Sequence, residues 1–253
     1  MNKKKKYIFD QHNYTFDYER THFWFKSRNN LIFYLINKFQ KDNKSLVDIG
    51  CGNGGTISFL SDKLKKTKIL GIEPDGNGYL NSKKKNKLHK NVTIKKIPFH
   101  KINAQKKDII LLLDVLEHLT KKNVNKILKK IYSLMHTRSV FILSVPQHAF
   151  LWSIADILDG HYRRYDYSNL SNIIINKNLK IIYRQSFNFF LMPIFLLRNL
   201  YLKNNINSRA KEFRINRFLN FFFAFILKIE FFFIRIGLKF KFGSSLFLIC
   251  KKK

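Results

Sequence analysis

The chain has 253 residues, which is enough for one domain of ordinary size with a buried core and some additional elements. Lys and Arg number 48 against 16 Asp and Glu, so the formal net charge is +32. Because 45% of the residues are hydrophobic, the composition excludes an intrinsically disordered chain. The charge alone identifies no partner: lysine is in excess even in plain spacers such as 63–66 and 82–87, as in a genome-wide compositional drift.

The cysteines and the N-terminus indicate the compartment. Cys51 and Cys250 lie at opposite ends of the chain, with neither a metal-ligand spacing nor a disulfide framework. The lysines at 3–6 are followed by polar and aromatic residues rather than by the apolar core of a signal peptide. We therefore expect a cytoplasmic protein without a bound metal, in contact at most with the inner face of a membrane.

Apolar, β-branched runs alternate with helix-compatible stretches from residue 45 to about 145, which is typical of βα units that build a parallel sheet. An N-terminal segment, 1–44, contains a predicted helix over Ser27–Phe39. The predicted core spans 45–186, with strands at Ser45–Ile49, Lys68–Ile72, Val92–Ile97, Ile109–Asp114, Val140–Val145 and Lys180–Phe187. The predicted helices of this core are Gly55–Lys65, Gly76–His89, Lys121–His136 and Ser168–Asn176, the last with Ser168 as its N-cap.

The segment 187–240 changes character. Phe187–Leu202 and Phe218–Leu238 are rich in Phe, Leu and Ile, but polar and charged residues interrupt both, so neither passes cleanly as a spanning helix. A basic stretch of Arg209, Lys211, Arg214 and Arg217 separates them. Such helices suit the interface of an anionic membrane, and the alternative is a helical lid packed on the sheet. A last core strand at Ser244–Cys250, within 241–253, makes this segment an insertion.

A glycine-rich turn carries the clearest chemistry. The segment 46–55 reads Leu-Val-Asp-Ile-Gly-Cys-Gly-Asn-Gly-Gly, a strand that runs into a turn and then a helix. Glycines there permit positive φ and close approach of a ligand to the backbone, and the helix start favours an anion or a nucleotide-like group. Asp48 precedes the glycines, and a carboxylate at that place suits a cationic amine better than a pyrophosphate.

Acidic residues end two further strands. Glu73 follows the second strand, where an acid can accept hydrogen bonds from both ribose hydroxyls. Asp114, in the run Asp-Val-Leu-Glu-His at 114–118, follows the fourth strand at the edge where open α/β sheets bind ligands. Together these segments resemble the class I S-adenosylmethionine-dependent methyltransferases, most specifically over 46–119.

The resemblance implies an α/β, Rossmann-like, mostly parallel sheet of seven strands whose last strand is antiparallel, and S-adenosyl-L-methionine as the cofactor. It places the methionine moiety against Asp48, Gly50, Cys51 and Gly52, the ribose on Glu73, and an edge of the cofactor on Asp114 and Val115. The acid that often receives the adenine amino group after the third strand is missing here. Adenine recognition is then left to backbone or to apolar contacts such as Ile97 and Phe99.

Candidate acceptor residues follow the fourth and fifth strands. If the acceptor is a hydroxyl, a base helps to remove its proton, and the candidates are His118, His148 and His161. We predict the catalytic role for His118 and His161 and a substrate-binding role for His148. Arg163 and Arg164 can bind a carboxylate or a phosphate, or one of them can pair with a nearby aspartate. The remaining substrate-binding candidates are Trp24, Trp152 and Tyr165, and either tryptophan can instead belong to the core.

These segments resemble a bacterial subgroup of the same family, with His-Phe-Trp-Phe at 22–25, Leu-Trp-Ser at 151–153, Gly-His-Tyr-Arg-Arg-Tyr at 160–165 and Phe-Gly-Ser-Ser-Leu at 242–246. Our leading hypothesis is methyl transfer to a small or lipid-linked acceptor, such as a saccharide, a prenyl-linked compound or a quinone precursor, at the membrane surface. An RNA-directed methyltransferase and a non-catalytic membrane-associated scaffold are the alternatives. The absence of an added RNA-binding module and of an Asn-Pro-Pro-Tyr-like tetrapeptide argues against nucleic acid.

Overall fold

A single mixed sheet organises the chain. The structure, a computed structural model, describes residues 15–42, 44–201 and 215–253, with the backbone alone over 198–201. The strand order is β3-β2-β1-β4-β5-β7-β6. The strands are β1 (Ser45–Ile49), β2 (Lys68–Ile72), β3 (Val92–Lys95), β4 (Lys107–Leu113), β5 (Met135–Pro146), β6 (Leu179–Phe187) and β7 (Ser245–Lys252). Only β7 runs antiparallel to its neighbours, β5 and β6, which confirms the predicted Rossmann-like sheet.

Helices cover both faces of the sheet. They are α1 (Phe23–Phe39), α2 (Gly55–Lys63), α3 (Gly76–Lys85), α4 (Lys121–Leu134), α5 (Ile154–Leu158), α6 (Tyr167–Ile175), α7 (Met192–Tyr201) and α8 (Arg217–Arg235). Alternation along β4 shows the two layers: Ile110 and Leu112 pack with α4 and α6, whereas Ile109 and Leu111 pack with α1, α2 and α8. The helices thus pack on the two faces of the sheet, and the carboxyl ends of the parallel strands form one of its edges.

Some predicted boundaries differ from the structure. Helix α6 begins at Tyr167 with Asp166 at its N-cap, so the prediction of Ser168 as N-cap is wrong. Asp166 has the extended backbone that an N-cap requires, whereas Ser168 already lies in the first turn. Helix α4 ends at Leu134 and β5 begins at Met135 without an intervening loop, so the predicted helix was too long. Helix α1 begins at Phe23, where the side chain of His22 accepts a hydrogen bond from the Trp24 N–H.

Helices α7 and α8 lie between β6 and β7, and α8 packs on α1. The rings of Phe23 and Phe223 are 5.2 Å apart, and the Phe23 N–H donates to Asn220 Oδ1 at 2.8 Å. Among the described residues, none of the helices is both long and apolar enough to cross a bilayer. Of the predicted basic stretch, Arg209, Lys211 and Arg214 fall outside the described residues.

The apolar helix α8 contains one acidic residue, Glu230, which contacts the backbone after β6. Its side chain is fully buried and accepts a hydrogen bond from the Phe190 N–H at 3.1 Å. The bond fixes α8 to the chain that leaves β6. Burial raises the pKa of Glu230 to about 7, although the backbone N–H groups of 188–190 oppose the shift.

We expect Glu230→Gln to change how stability depends on pH. The folded-state pKa of about 7 lies above the ordinary 4.5, so the folded protein binds more protons than the unfolded chain between these values and loses stability as pH rises through them. At about 1.4 kcal/mol per pKa unit, the loss amounts to ~3 kcal/mol at most. Urea unfolding at pH 5 and pH 8 should show a smaller loss for Glu230→Gln than for the wild type. The exposed Lys228→Gln is the matched control, and equal losses in all three proteins would contradict the prediction.

Candidate active site

The turn between β1 and α2 has a left-handed backbone that favours glycine. Gly50, Gly52 and Gly54 have φ values of +80°, +54° and +77°. A Cβ on Gly50 would lie 2.6 Å from Val115 Cγ2, so a side chain there would also collide with the segment after β4. The N–H groups of Gly50 and Cys51 both donate to the Ile72 carbonyl, which holds the turn against the end of β2.

Glu73 braces this turn from the end of β2. Its Oε2 accepts the Gly52 N–H at 2.8 Å, and its Oε1 accepts the Asp75 N–H at 2.9 Å. These two bonds hold the Glu73 carboxylate beside the glycine turn. Asp75 in turn caps α3 by accepting the N–H groups of Asn77 and Gly78.

Asp48 is a buried carboxylate whose charge is poorly compensated. The residue is 2% exposed, and Oδ1 makes no hydrogen bond within the described part of the chain. Burial raises its pKa to about 7; the Arg28 guanidinium opposes the shift, and the carboxylates of Glu73 and Asp114 add to it. A ligand with a cationic amine would compensate this charge and satisfy the free oxygen.

Asp114 is held at the end of β4 in a strained backbone, with φ +55°. Ser144 Oγ donates to its Oδ1 at 2.9 Å, and Arg28 Nη1 donates to its Oδ2 at 2.6 Å. Arg28 also donates to Thr56 Oγ1 at 3.0 Å and lies over the ring of Trp24, 4.5 Å from the centroid. Helix α1 thus brings a cation and an aromatic ring to the same edge of the sheet.

The segment 160–165 crosses the carboxyl ends of β4 and β5. The Tyr162 N–H donates to the Glu117 carbonyl at 2.7 Å, and the Tyr165 N–H donates to the Pro146 carbonyl at 3.0 Å. The buried Tyr165 hydroxyl donates to the Leu116 carbonyl at 3.2 Å. These bonds bring His161 beside the Asp-Val-Leu-Glu-His run, although the two lie far apart in the sequence.

His118, His161 and Glu117 form a cluster at this edge. The imidazole centroids are 4.7 Å apart with the rings nearly perpendicular, and one nitrogen or oxygen atom from each residue lies within 4.8 Å of the others. Burial raises the pKa of Glu117 well above its ordinary value, and the Asp114 carboxylate adds to the shift. The same donor set also suits a divalent cation, although the sequence analysis expected no metal.

The two predicted arginines have different surroundings. Arg164 Nε lies 3.0 Å from both oxygens of Asp156, which also contacts His161 Nδ1 at 2.8 Å. The structure therefore places Arg164 in the aspartate pairing that the sequence left open. Arg163 lies over the ring of Tyr162, 5.9 Å from the centroid.

The remaining predicted residues lie around this cluster. His148 is 8% exposed, has its ring stacked on Phe150 and Phe242, and has Nδ1 3.2 Å from Asp166 Oδ1. Trp152 is 38% exposed after β5. Near the glycine turn, the ring of Phe99 comes 3.6 Å from the position of a Gly50 Cβ.

Comparison with known proteins decides the family. The profile of the family described as "Methyltransferase domain" matches residues 16–184. The chain belongs to this family. Protein 235L of Invertebrate iridescent virus 6, named as a methyltransferase, is 25% identical over 228 residues, which cover 79% of this chain and 84% of that protein.

Solved structures share the fold. The plantazolicin methyltransferase BamL, solved with a triazolic desmethylPZN analog and SAH, has a TM-score of 0.60 at 17% identity, with 96% of this chain and 91% of that chain covered. Coclaurine N-methyltransferase, solved with N-methylheliamine and SAH, has a TM-score of 0.56 at 16% identity, with 88% and 72% covered.

This methyltransferase uses S-adenosyl-L-methionine as its methyl donor, as the motifs at 46–55, 71–75 and 114–118 imply. The residues present fit that molecule. Asp48 offers an unsatisfied buried carboxylate oxygen for the amino group of the methionine moiety. The turn at Gly50 and Gly52 exposes backbone without side chains, and the Glu73 carboxylate, of the type that accepts hydrogen bonds from ribose hydroxyls, lies beside it.

Sequence reasoning missed the roles of Arg28 and Asp156. Arg28 pairs with Asp114 across 86 residues, and a single sequence carries no signal for such a pair. The sequence predicts a nearby aspartate only as an ion-pair partner for Arg163 or Arg164, whereas the contact of Asp156 with His161 follows from the turn after α5. The spacing of Asp156 and His161, five residues apart across a helix end with a glycine, was the one available signal.

We expect the affinity for S-adenosyl-L-methionine to rise between pH 5.5 and 7. The pKa of Asp48 is raised to about 7, so the carboxylate that attracts the amino group forms only as pH approaches that value. Asp48→Asn should bind at least roughly tenfold more weakly at pH 7 and lose this pH dependence. Calorimetric titration checks both statements, and Asp62→Asn, on the exposed side of α2, is the control. Unchanged binding by Asp48→Asn would contradict the assignment.

Proposed function

We propose that this methyltransferase acts on a small or lipid-linked acceptor, such as a saccharide, a prenyl-linked compound or a quinone precursor, at the surface of an anionic membrane. The main observation behind this proposal is an exposed aromatic stripe on α8, which is bordered by cations. The glycine turn between β1 and α2 lies at the carboxyl edge of the sheet in the same protein. The small-molecule N-methyltransferase among the structural neighbours supports an acceptor of modest size.

The residues of the chain position the two reactants and remove one proton from the acceptor. When bound, the cofactor would supply a methyl group on a sulfonium, whose carbon an acceptor lone pair would attack while the carbon–sulfur electron pair leaves with the sulfur. Asp48, the glycine turn and Glu73 hold the donor, and Asp114 with Val115 borders it. Alignment is the main contribution of such an enzyme, since in-line displacement needs little covalent help.

The acceptor's proton passes to an imidazole of the cluster. Burial raises the pKa of Glu117 well above its ordinary value, which favours the protonated form of this carboxyl group. His118 and His161 are therefore the bases, placed where the segments 147–153 and 160–165 surround the edge of the sheet. Arg163 and Trp152 border the same edge and contact the acceptor's polar head and apolar body.

The stripe on α8 contains residues at helical spacing, and all of them are exposed: Phe218, Phe221, Phe222, Phe225, Ile229, Phe232 and Ile236. At about 100° per residue they fall on one side of the helix, opposite the buried Leu227 and Ile234. Phe221 is 71% exposed and Phe232 58%. A contiguous apolar surface of this kind marks an interaction site rather than a solvated helix face.

Cations accompany the stripe on one flank. Arg217, Lys228 and Arg235 are exposed and project about 90° from the centre of the stripe. The exposed Lys239 and Lys241 follow the helix. Exposed phenylalanines beside a row of cations are typical of a helix that lies in the interface of an anionic membrane, with its aromatic rings in the headgroup region.

We expect the triple variant Phe221→Ser, Phe225→Ser, Phe232→Ser to bind vesicles of phosphatidylglycerol and phosphatidylcholine roughly tenfold or more weakly than the wild type, because apolar burial is lost. Vesicle co-sedimentation measures this. The matched control replaces exposed apolar residues elsewhere, as Leu80→Ser, Leu88→Ser, Ile175→Ser. Equal binding by both triple variants, or no binding by the wild type, would sink the membrane proposal.

Acceptor class is tested by supplying methyl-labelled cofactor with a lipid extract, a water-soluble metabolite extract and total RNA. We expect label in the lipid fraction, and we expect His161→Ala to reduce it by roughly 100-fold while cofactor affinity stays within about twofold. His136→Ala, whose ring pairs with Asp108 at the opposite edge of the sheet, is the control. Label in RNA would favour the nucleic-acid alternative, and cofactor binding without transfer to any fraction would favour a scaffold.

A further inference from the structure

We propose that Asp156 is a positioning residue that holds His161 in the tautomer able to accept the acceptor's proton. The inference rests on the proposed role of His161 as a base. It adds a residue that determines which nitrogen of this base carries the proton. The residue acts through His161 and needs no contact with either substrate.

Asp156 is surrounded by donors. It is 1% exposed; Oδ1 lies 2.8 Å from His161 Nδ1, and Oδ2 accepts the Ser153 N–H at 2.9 Å. Ser153 Oγ lies 3.2 Å from Oδ2, and Arg164 Nε lies 3.0 Å from both oxygens. Each oxygen therefore has its own hydrogen-bond donors, and the carboxylate cannot rotate without breaking several of these bonds.

The carboxylate remains ionised in this site. Burial alone would raise its pKa, but the hydrogen bond to His161 and the Arg164 guanidinium outweigh burial and leave the pKa below its ordinary value. An ionised carboxylate only accepts hydrogen bonds. His161 Nδ1 must therefore carry the proton, and in the neutral ring the lone pair is on Nε2.

The groups that face His161 come from two directions. Asp156 and Arg164 belong to α5 and the segment after it, whereas Glu117 and His118 belong to the segment after β4. A backbone bond from the His161 N–H to the Asp156 carbonyl at 2.9 Å fixes the turn itself. The imidazole is edge-on to His118, 4.7 Å between centroids, so Asp156 also limits rotation of the ring within the cluster.

Replacement of Asp156 by asparagine reverses the hydrogen bond. The Ser153 N–H needs an acceptor, so the amide oxygen takes the place of Oδ2 and the amide nitrogen takes the place of Oδ1. The nitrogen then donates to His161 Nδ1, and the ring moves its proton to Nε2. Geometry is nearly retained, but the nitrogen that should accept a proton already holds one.

Long-range proton–nitrogen NMR of the full-length protein reads the tautomer directly and requires no acceptor. The chain has 8 histidines, and the signals missing from His161→Gln identify those of His161. We expect Nδ1–H in the wild type and in Asp156→Glu, and Nε2–H in Asp156→Asn. Asp108→Asn, which removes the carboxylate beside His136, should leave the His161 signals unchanged.

Nε2–H in the wild type, or an unchanged tautomer in folded Asp156→Asn, would overturn the proposal. Transfer to the acceptor found above adds a second readout. We expect Asp156→Asn to lower kcat by roughly 100-fold or more with little change in KM, and to have almost no further effect in the His161→Ala background. Additive losses would assign Asp156 a merely structural role. If the tautomer changes as expected but His161→Ala transfers methyl normally, the positioning holds and the proposed base is wrong.

Discussion

Compensation of buried negative charge is the constraint on which the rest of this structure depends. The chain has a net charge of +32, yet five of its 16 acidic residues lie buried or half-buried at one edge of the sheet: Asp48, Glu73, Asp114, Glu117 and Asp156. An ionised carboxylate taken out of water costs several kcal/mol unless it is paired or hydrogen-bonded. The five acids differ in the cations and hydrogen-bond donors that surround them, and these differences define the site.

Two of these acids lie beside a cation, and burial raises the pKa of another. Arg28 compensates Asp114, and Arg164 with His161 compensates Asp156. Glu117 is fully buried with an oxygen that makes no hydrogen bond in the described structure, and its pKa is raised accordingly. Asp48 lies between these cases, since Arg28 is near but does not bond to it. An acid left in this state is the one that a cationic ligand can stabilise.

Much of the fold was predictable because local patterns dictate it. The alternation along β4, the glycines at positive φ and the acids at strand ends are all properties of short segments. The residues proposed to hold the cofactor, from Asp48 to Asp114, follow from them. The boundary errors arise where tertiary contacts override local preference, as at β5, whose first residue, Met135, pairs with Lys107 directly after α4.

The acceptor side was only partly predictable, because its pairs depend on loops that fold back over the sheet. His118 and His161 were candidates by residue type, but their contact depends on the Tyr162 N–H bond to the Glu117 carbonyl. The partner that distinguishes Arg164 from Arg163 is likewise settled by the turn after α5. A sequence supplies candidates for such pairs, and the backbone hydrogen bonds select among them.

Helix α8 combines both kinds of constraint in one element. On its inner side, Leu227 and Ile234 enter the core, and Glu230 bonds to the chain after β6, so the rotation of the helix about its axis is fixed. That rotation turns the aromatic stripe outward and leaves Arg217, Lys228 and Arg235 along a single flank. A helix required only to cover α1 would need one apolar side. The second apolar side is exposed at a cost of about 25 cal/mol per Å2, and this cost together with the adjacent cations is the physical basis for proposing that α8 lies in an anionic interface.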